Sequence, residues 1–371
     1  MTLGSEFAAP MRDGQAAVTI KTAVVIPCYR VTRQVLGVIA AVPPHVSLIV
    51  CVDDACPDGC GKYIEGANLD KRVVVLYHES NQGVGGAMVT GYRAALERGA
   101  TIIVKIDGDG QMDPQLIPAF VAPIVEGAAD YTKGNRFYRP ESVIGMPIKR
   151  LAGNAILSFM SKFSSGYWNL FDPNNGYTAI HAETLRQIPL AKISKRYFFE
   201  SDMLCRLSTV RAVVLDVPMD AVYANERSNL TINKILISFL FGHVRNFCKR
   251  LAYNYYLRDF NVASLEWILG PALLLFGFVF GLNEWADSLV TGKTASAGTV
   301  MLSALPIITG LQMLLSAINF DVQSVPRRAI HLDVRIHPMT AMRATPNAPE
   351  SSDERTERPG EPTRATSQRV K

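Results

Sequence analysis

Asp107, Asp109 and Asp113 fall within the short stretch IDGDGQMDP, residues 106–114, together with Gly108, Gly110 and the amide of Gln111. The stretch follows the apolar run Thr101-Ile102-Ile103-Val104-Lys105-Ile106, which reads as a buried strand entering a tight turn. Side chains two apart on extended backbone point the same way, so Asp107 and Asp109 can converge while the glycines let the chain bend. Two close carboxylates repel each other unless a cation joins them. Mg²⁺ or Mn²⁺ is the expected partner, held by Asp107 and Asp109 with help from Gln111 or its water shell, its other positions open to water and substrate phosphates. Such a site suits a sugar nucleotide. A bare D-x-D pattern also occurs as a solvated acidic turn, so the neighbouring motifs carry the interpretation.

Those neighbours are the elements that would position the turn. Thr22-Ala23-Val24-Val25-Ile26-Pro27 reads as a first parallel strand and Ser47-Leu48-Ile49-Val50-Cys51-Val52 as a second. The second ends in Asp53-Asp54, where open α/β sheets bind ligands and a carboxylate can accept from a ribose hydroxyl or a base N–H. A third strand, Arg72 to Tyr77, runs into Asn81-Gln82-Gly83-Val84-Gly85-Gly86-Ala87, where glycines open a helix. A dinucleotide fingerprint fits poorly: the glycines follow the third strand, and no acidic residue lies at the required distance.

In this order the segments resemble glycosyltransferase family 2, and within it the polyprenyl-phosphate glycosyltransferases of the dolichol-phosphate mannosyltransferase kind. The matching pieces are VVIPCYR from Val24, VDDACPDG from Val52, ESNQGVGGAMVTGYRAAL from Glu79, IDGDGQMDP from Ile106, KGNRF from Lys133, KRLAGN from Lys149, FDPNNGYTAI from Phe171 and YFFESDM from Tyr197. Cys56 and Cys60 stand where that family usually has small hydroxyl residues, and Asn174-Asn175 where Gln-Ser or Gln-Cys is frequent. The resemblance implies a GT-A, Rossmann-like nucleotide-binding domain and inversion at the anomeric carbon. It implies that Pro27, Tyr29, Asp53, Asp54, Asn81, Gly85, Asp107 and Gly108 bind the nucleotide sugar. By the same resemblance Arg136, Arg150 and Asn154 face the acceptor phosphate, with Arg227 a further candidate just before the basic helices. Guanidinium groups suit this work because they stay charged and bind phosphate oxygens in pairs. Glu200 and Asp202 are candidates for a general base, their separation fitting one face of a strand or a loop. Asp172 and Asn175 serve either the site or the DPNNG turn itself.

Composition agrees with a membrane enzyme: 48% of the 371 residues are hydrophobic and the mean hydropathy is positive. The net charge of +5 is modest and no basic patch interleaved with aromatics appears, which excludes nucleic acid as the expected partner. The six cysteines lack metal-ligand spacing with histidine and read as reduced thiols, those at Cys28, Cys51 and Cys205 packed. Residues 1–21 lack the apolar core of a signal peptide and read as a flexible polar tail. Residues 22–230 alternate strands and helices as the α/β catalytic domain. Residues 231–262 mix Ile232, Ile235, Leu236, Phe239 and Phe247 with Lys234, Arg245, Lys249 and Arg250, the pattern of amphipathic helices at a membrane interface.

Residues 263–322 hold two apolar runs, Trp267 to Leu282 and Thr299 to Phe320, expected as a transmembrane hairpin with Glu284, Asp287 and Lys293 in its loop. Lys249, Arg250 and Arg258 before it, and Arg327 and Arg328 after it, place both ends and the catalytic domain in the cytoplasm of a plasma or inner membrane. Residues 323–371 end in a polar tail expected to be largely disordered. A hairpin of this kind points to an acceptor whose headgroup lies at the interface. The expected partners are a UDP or GDP sugar, a polyprenyl phosphate, membrane lipids and, optionally, a second copy of the chain. The alternative acceptor is a lipid-linked saccharide or polysaccharide. A processive synthase would carry a Gln-x-x-Arg-Trp segment and more spans, and a scaffold that had lost catalysis would not retain Asp107, Asp109, Gln111 and Arg136.

Overall fold

A computed structural model describes residues 20–138, 148–220 and 232–336. Seven strands form one sheet: β1 (Thr22–Cys28), β2 (Leu48–Asp53), β3 (Val73–Tyr77), β4 (Ile102–Lys105), β5 (Tyr131–Asn135), β6 (Thr178–His181) and β7 (Val214–Pro218). Their spatial order is β3-β2-β1-β4-β6-β5-β7. β1 pairs in parallel with both β2 and β4, with Ala23 opposite Leu48 and Thr22 opposite Ile102. β6 runs antiparallel to β4 and β5, so the sheet is mixed.

The first strands are apolar throughout because both faces are covered. Val24 and Ile26 of β1 enter one core with Val35, Ile39, Phe120 and Ile124. Ala23 and Val25 enter the opposite core with Met88, Tyr92, Phe199 and Leu204. Alternation along one strand thus feeds two layers of helices, the α/β arrangement that the strand-helix rhythm predicts. Chain order reverses between β1 and β4, since β2 and β3 lie on one side and β4 on the other. Open α/β sheets bind ligands in the crevice at such a switch point. Tyr29 just beyond β1 and Asp107 just beyond β4 stand at its two sides.

Below the sheet, helix Ile232–Ala252 packs on helices Ile148–Ser165 and Phe199–Thr209. Gly242 lets it approach closely, because a Cβ there would meet the Phe198 ring at 2.8 Å. His243 Nδ1 lies 2.7 Å from Ser164 Oγ. A π-helical turn, Tyr253–Leu257, then leads into two long helices, Val262–Thr291 and Ala297–Gln323. Both are long and apolar enough to cross a membrane, and only 11% of the most apolar window of each is buried, unlike the core helix of a soluble domain. They meet at small residues: a Cβ on Gly310 would stand 2.7 Å from Gly270 O, and one on Gly277 the same distance from Ser303 O. The helices run further than the apolar runs predict. Glu284 and Asp287 lie on the first helix rather than in the loop, which shrinks to Gly292 through Ser296.

Two polar clamps tie these helices to the catalytic domain. Asp321, at the end of the second long helix, takes both guanidinium arms of Arg250 at 2.6 and 2.9 Å, the hydroxyl of Tyr255 and the indole N–H of Trp168. Beyond it the chain returns to the sheet edge. Asp130 accepts the backbone N–H groups of Ile330 and His331 and pairs with His331 Nδ1 at 2.6 Å, while the His331 ring stacks on His181.

Candidate active site

The centre of the site is a lysine. Lys105 ends β4, is fully buried, and its Nζ lies 2.7 Å from Asp107 Oδ1 and 3.4 Å from Glu200 Oε1 while donating to Gly176 O at 3.1 Å. Burial alone would lower its pKa, but Asp107 and Glu200 reverse the effect and raise it, so the cation is permanent. Burial pushes the Glu200 carboxyl up, Lys105 opposes this and Asp107 adds to it, leaving Glu200 above the usual glutamate value. Only glycine fits opposite. A Cβ on Gly176 would stand 2.5 Å from Lys105 Nζ and 2.6 Å from Asp107 Oδ2.

The acidic turn is held by its own backbone. Gln111 N donates to Asp109 Oδ1 at 3.0 Å, Asp107 N to Met112 Sδ at 3.4 Å, and Gly110 sits at φ +76°. Gly108 lies under Val31, whose Cγ2 would be 3.0 Å from an added Cβ. Asp107 and Asp109 remain partly exposed at the end of β4. Among the described residues no three histidine, cysteine or carboxylate side chains gather as a complete metal cage. That donor set fits a hard cation completed by water and substrate oxygens.

Glu200 and Asp202 occupy the first turn of helix Phe199–Thr209 rather than a strand or loop, and their surroundings differ. Asp202 is buried, accepting from Ser194 N and Arg206 Nε with one oxygen and from Asn246 Nδ2 with the other. It fastens helix Phe199–Thr209 to helix Ile232–Ala252. Glu200 alone of the pair reaches the acidic turn.

Asp53 and Asp54 are also buried and committed. Asp53 accepts Cys56 N at 2.7 Å and Gly61 N at 2.6 Å. Asp54 accepts Gln82 N and Gly83 N and pairs with His78 Nδ1 at 2.6 Å, while Asn81 Nδ2 donates to Asp54 O. Both carboxylates therefore shape the rim of the crevice. The glycines after β3 shape it too, since a Cβ on Gly85 would stand 2.2 Å from Ser194 O, and Gly86 N donates to Lys195 O. They admit the loop at Ser194 and Lys195 against the start of the helix that the glycines open. Pro27 lies within β1, and Tyr29 beyond it is exposed, with the Arg30 guanidinium 5.5 Å from its ring centre.

Arg136, just past β5, donates through Nε and Nη2 to the two oxygens of Asp172, each at 2.8 Å. Burial would raise the Asp172 pKa, but Arg136 and then Lys133 hold it below the ordinary value. Asp172 sits at φ +54° and accepts Asn175 Nδ2, so the DPNNG turn works as a clamp on Arg136. Arg150 and Asn154 lie four apart in the first part of helix Ile148–Ser165, on one face. Arg227 lies outside the described residues. Cys28, Cys51 and Cys205 are buried free thiols, and Cys56 Sγ stands 3.0 Å from Cys60 Sγ.

Sequence reasoning missed Lys105, Gly176 and Asp321. A lysine inside the otherwise apolar β4 run was the available signal.

The mixed seven-stranded sheet between two helical layers is a GT-A glycosyltransferase fold. Residues 23–188 match the family described as Glycosyl transferase family 2. The chain is 33% identical over 203 residues, covering 53% of it and 82% of its relative, to the undecaprenyl-phosphate mannosyltransferase of Micrococcus luteus. It is 29% identical over 229 residues, 58% of the chain and 90% of the relative, to the UDP-N-acetylglucosamine–dolichyl-phosphate N-acetylglucosaminyltransferase of Methanococcus voltae. Among solved structures, glucosyl-3-phosphoglycerate synthase from Mycobacterium tuberculosis aligns with TM-score 0.47 and 19% identity over 62% of this chain and 80% of that one. The chain belongs to glycosyl transferase family 2.

Proposed function

We propose that this enzyme transfers a sugar from a UDP or GDP sugar to a polyprenyl phosphate at the cytoplasmic face of a membrane, with inversion. The observation that carries the reading is the Lys105–Asp107–Glu200 cluster at the end of β4, on a domain clamped through Asp321 to two helices long enough to span a bilayer. The names of the Micrococcus and Methanococcus relatives, both lipid-phosphate glycosyltransferases, support the acceptor class.

A phosphate monoester is largely dianionic at neutral pH, so its oxygen can attack the anomeric carbon without a base. The new bond joins that oxygen to the sugar, and the bond to the nucleoside diphosphate breaks with its electron pair. Asp107 and Asp109, with Gln111, would hold Mg²⁺ or Mn²⁺, which would neutralise charge on the diphosphate. Lys105 fixes Asp107 in place and keeps Glu200 beside it. Glu200 orients the sugar hydroxyls or takes a proton, its raised pKa suiting exchange closer to neutrality. Arg136, steadied by Asp172, and Arg150 and Arg227 offset the acceptor's charge, and Asn154 offers it an amide donor, so that two anionic substrates can meet. Catalysis is mainly positioning and electrostatics.

The test is incubation of the purified chain with radiolabelled nucleotide sugars and polyprenyl phosphate. The expected product is organic-extractable, alkali-stable to the extent of a phosphodiester, and lost with EDTA. Label that stays water-soluble with every donor, or passes only to a preformed saccharide, would overturn the acceptor assignment.

A further inference from the structure

A second polar pocket lies away from the acidic turn, between the underside of the catalytic domain and the ends of the two apolar helices. Its lining includes Ser208, Arg211, Arg250, Asn254, Arg258 and Asn261. The Arg250–Asp321 ion pair forms one wall, with Tyr255 completing the carboxylate's partners. Two polar atoms are left over. Arg250 Nε and Asn254 Oδ1 are buried without a hydrogen-bond partner among the described residues, and Arg250 is only 2% exposed. A buried polar group left unmet is costly, so a partner for it is expected. The occupant must therefore offer an acceptor to Arg250 and a donor to the Asn254 amide oxygen.

Charge and position narrow the chemistry. Asp321 cancels Arg250, which leaves Arg211 and Arg258 against Asp259 and makes the pocket net cationic. Asn261 caps the first apolar helix, and Phe320 and Ser324 close the second, so the pocket opens at the level where both helices end on one side. Leu257, Phe260 and Val262 are exposed beside it, an apolar border that acyl chains would cover. An anion with hydrogen-bond donors of its own, attached to hydrocarbon, matches all three features.

We propose that this pocket holds one glycerophospholipid headgroup, its phosphate toward Arg250, Arg211 and Arg258 and a hydroxyl or ammonium donor toward Asn254. The proposal rests on insertion of the two helices in a bilayer and is independent of which acceptor receives the sugar. Such a lipid would brace the Asp321 clamp and fix the height of the catalytic domain above the membrane.

The test is native mass spectrometry of the full chain released from micelles containing phosphatidylglycerol and no polyprenyl phosphate. Wild type should retain one phospholipid, and Lys249→Gln, an exposed cation outside the pocket, should retain it equally. Arg211→Gln/Arg258→Gln and Asn254→Ala should each lose at least tenfold of the retained fraction, and glycerol 3-phosphate should not displace the lipid. Equal retention by the variants, displacement by glycerol 3-phosphate at matched concentration, or a pocket holding water only would overturn the proposal. Extraction of the chain by alkaline carbonate would instead remove the membrane reading beneath it.

Discussion

Lys105 Nζ stands 2.7 Å from Asp107 and 3.4 Å from Glu200, so one buried cation joins the acidic turn after β4 to the first turn of helix Phe199–Thr209. Removing it leaves the Glu200 carboxylate without its cation and beside a second carboxylate. Breaking a buried ion pair from one side costs about 3–5 kcal/mol. Lys105→Met should therefore melt well below wild type and lose transfer, and adding Glu200→Gln should recover part of the stability but not the activity. A Lys105→Met variant with wild-type melting and turnover would show that the bridge contributes to neither.

Asp109 tests the cation. Its substitution by Asn keeps the shape of the turn, including an acceptor for Gln111 N, but removes charge from the expected Mg²⁺ or Mn²⁺ site. Transfer should fall roughly a hundredfold with folding unchanged, the scale of a lost electrostatic contact to the transition state. Full activity of wild type in excess EDTA would refute metal dependence.

What the sequence made legible follows from how local the determinant is. β1, β2 and β4 read correctly because strands buried on both faces need continuous apolar runs, and the acidic turn reads correctly because glycine and aspartate mark it. Asp53, Asp54 and Asp202 show the limit. Their oxygens meet partners that the motifs do not announce: Asp53 takes the N–H groups of Cys56 and Gly61 just beyond it, whereas Asp54 takes those of Gln82 and Gly83 and Asp202 the amide of Asn246, all from distant segments. No spacing rule encodes those partners. Glycine carries the same ambiguity: Gly83 and Gly85 satisfy a close approach by residues 194–196, a need indistinguishable in sequence from a phosphate loop. Asp321 was hidden differently, as the single charge just past an apolar run, its meaning set by Arg250 across the fold.

His243 predicts a pH dependence of stability. It sits on helix Ile232–Ala252 between Phe198, Phe239 and Ser164, and burial lowers its pKa from 6.5 to about 4. The folded chain holds it neutral, whereas the unfolded chain takes up a proton below about 6.5. Stability from this group is thus complete above that pH and declines as pH falls toward 4, by about 3 kcal/mol at most. His243→Gln should flatten this part of the melting-temperature profile relative to wild type. Parallel profiles would mean that the imidazole is solvated.

Topology is testable by thiol labelling after replacement of the native cysteines, including the exposed Cys248. A cysteine at Thr291, where the first apolar helix ends, should react with an impermeant reagent from outside the cell. One at Thr345 should react only after permeabilisation. Labelling of both from one side would replace the hairpin with helices lying along the interface.

The last prediction concerns the Arg136–Asp172 clamp. Asp172 grips the guanidinium with both oxygens and is itself held by Asn175, so the arginine's direction is set by the DPNNG turn. If Arg136 serves the acceptor phosphate, Asp172→Asn keeps the arginine's charge but loosens its aim, and the apparent KM for polyprenyl phosphate should rise roughly tenfold while the donor Kd by calorimetry stays constant. Arg136→Ala should raise it further, and Arg136→Lys should recover only part, since an ammonium restores charge without the paired donors of a guanidinium. A merely structural clamp behaves otherwise. Its loss would lower melting temperature and reduce donor and acceptor affinity together, and that pattern would move the acceptor role to Arg150 and Arg227.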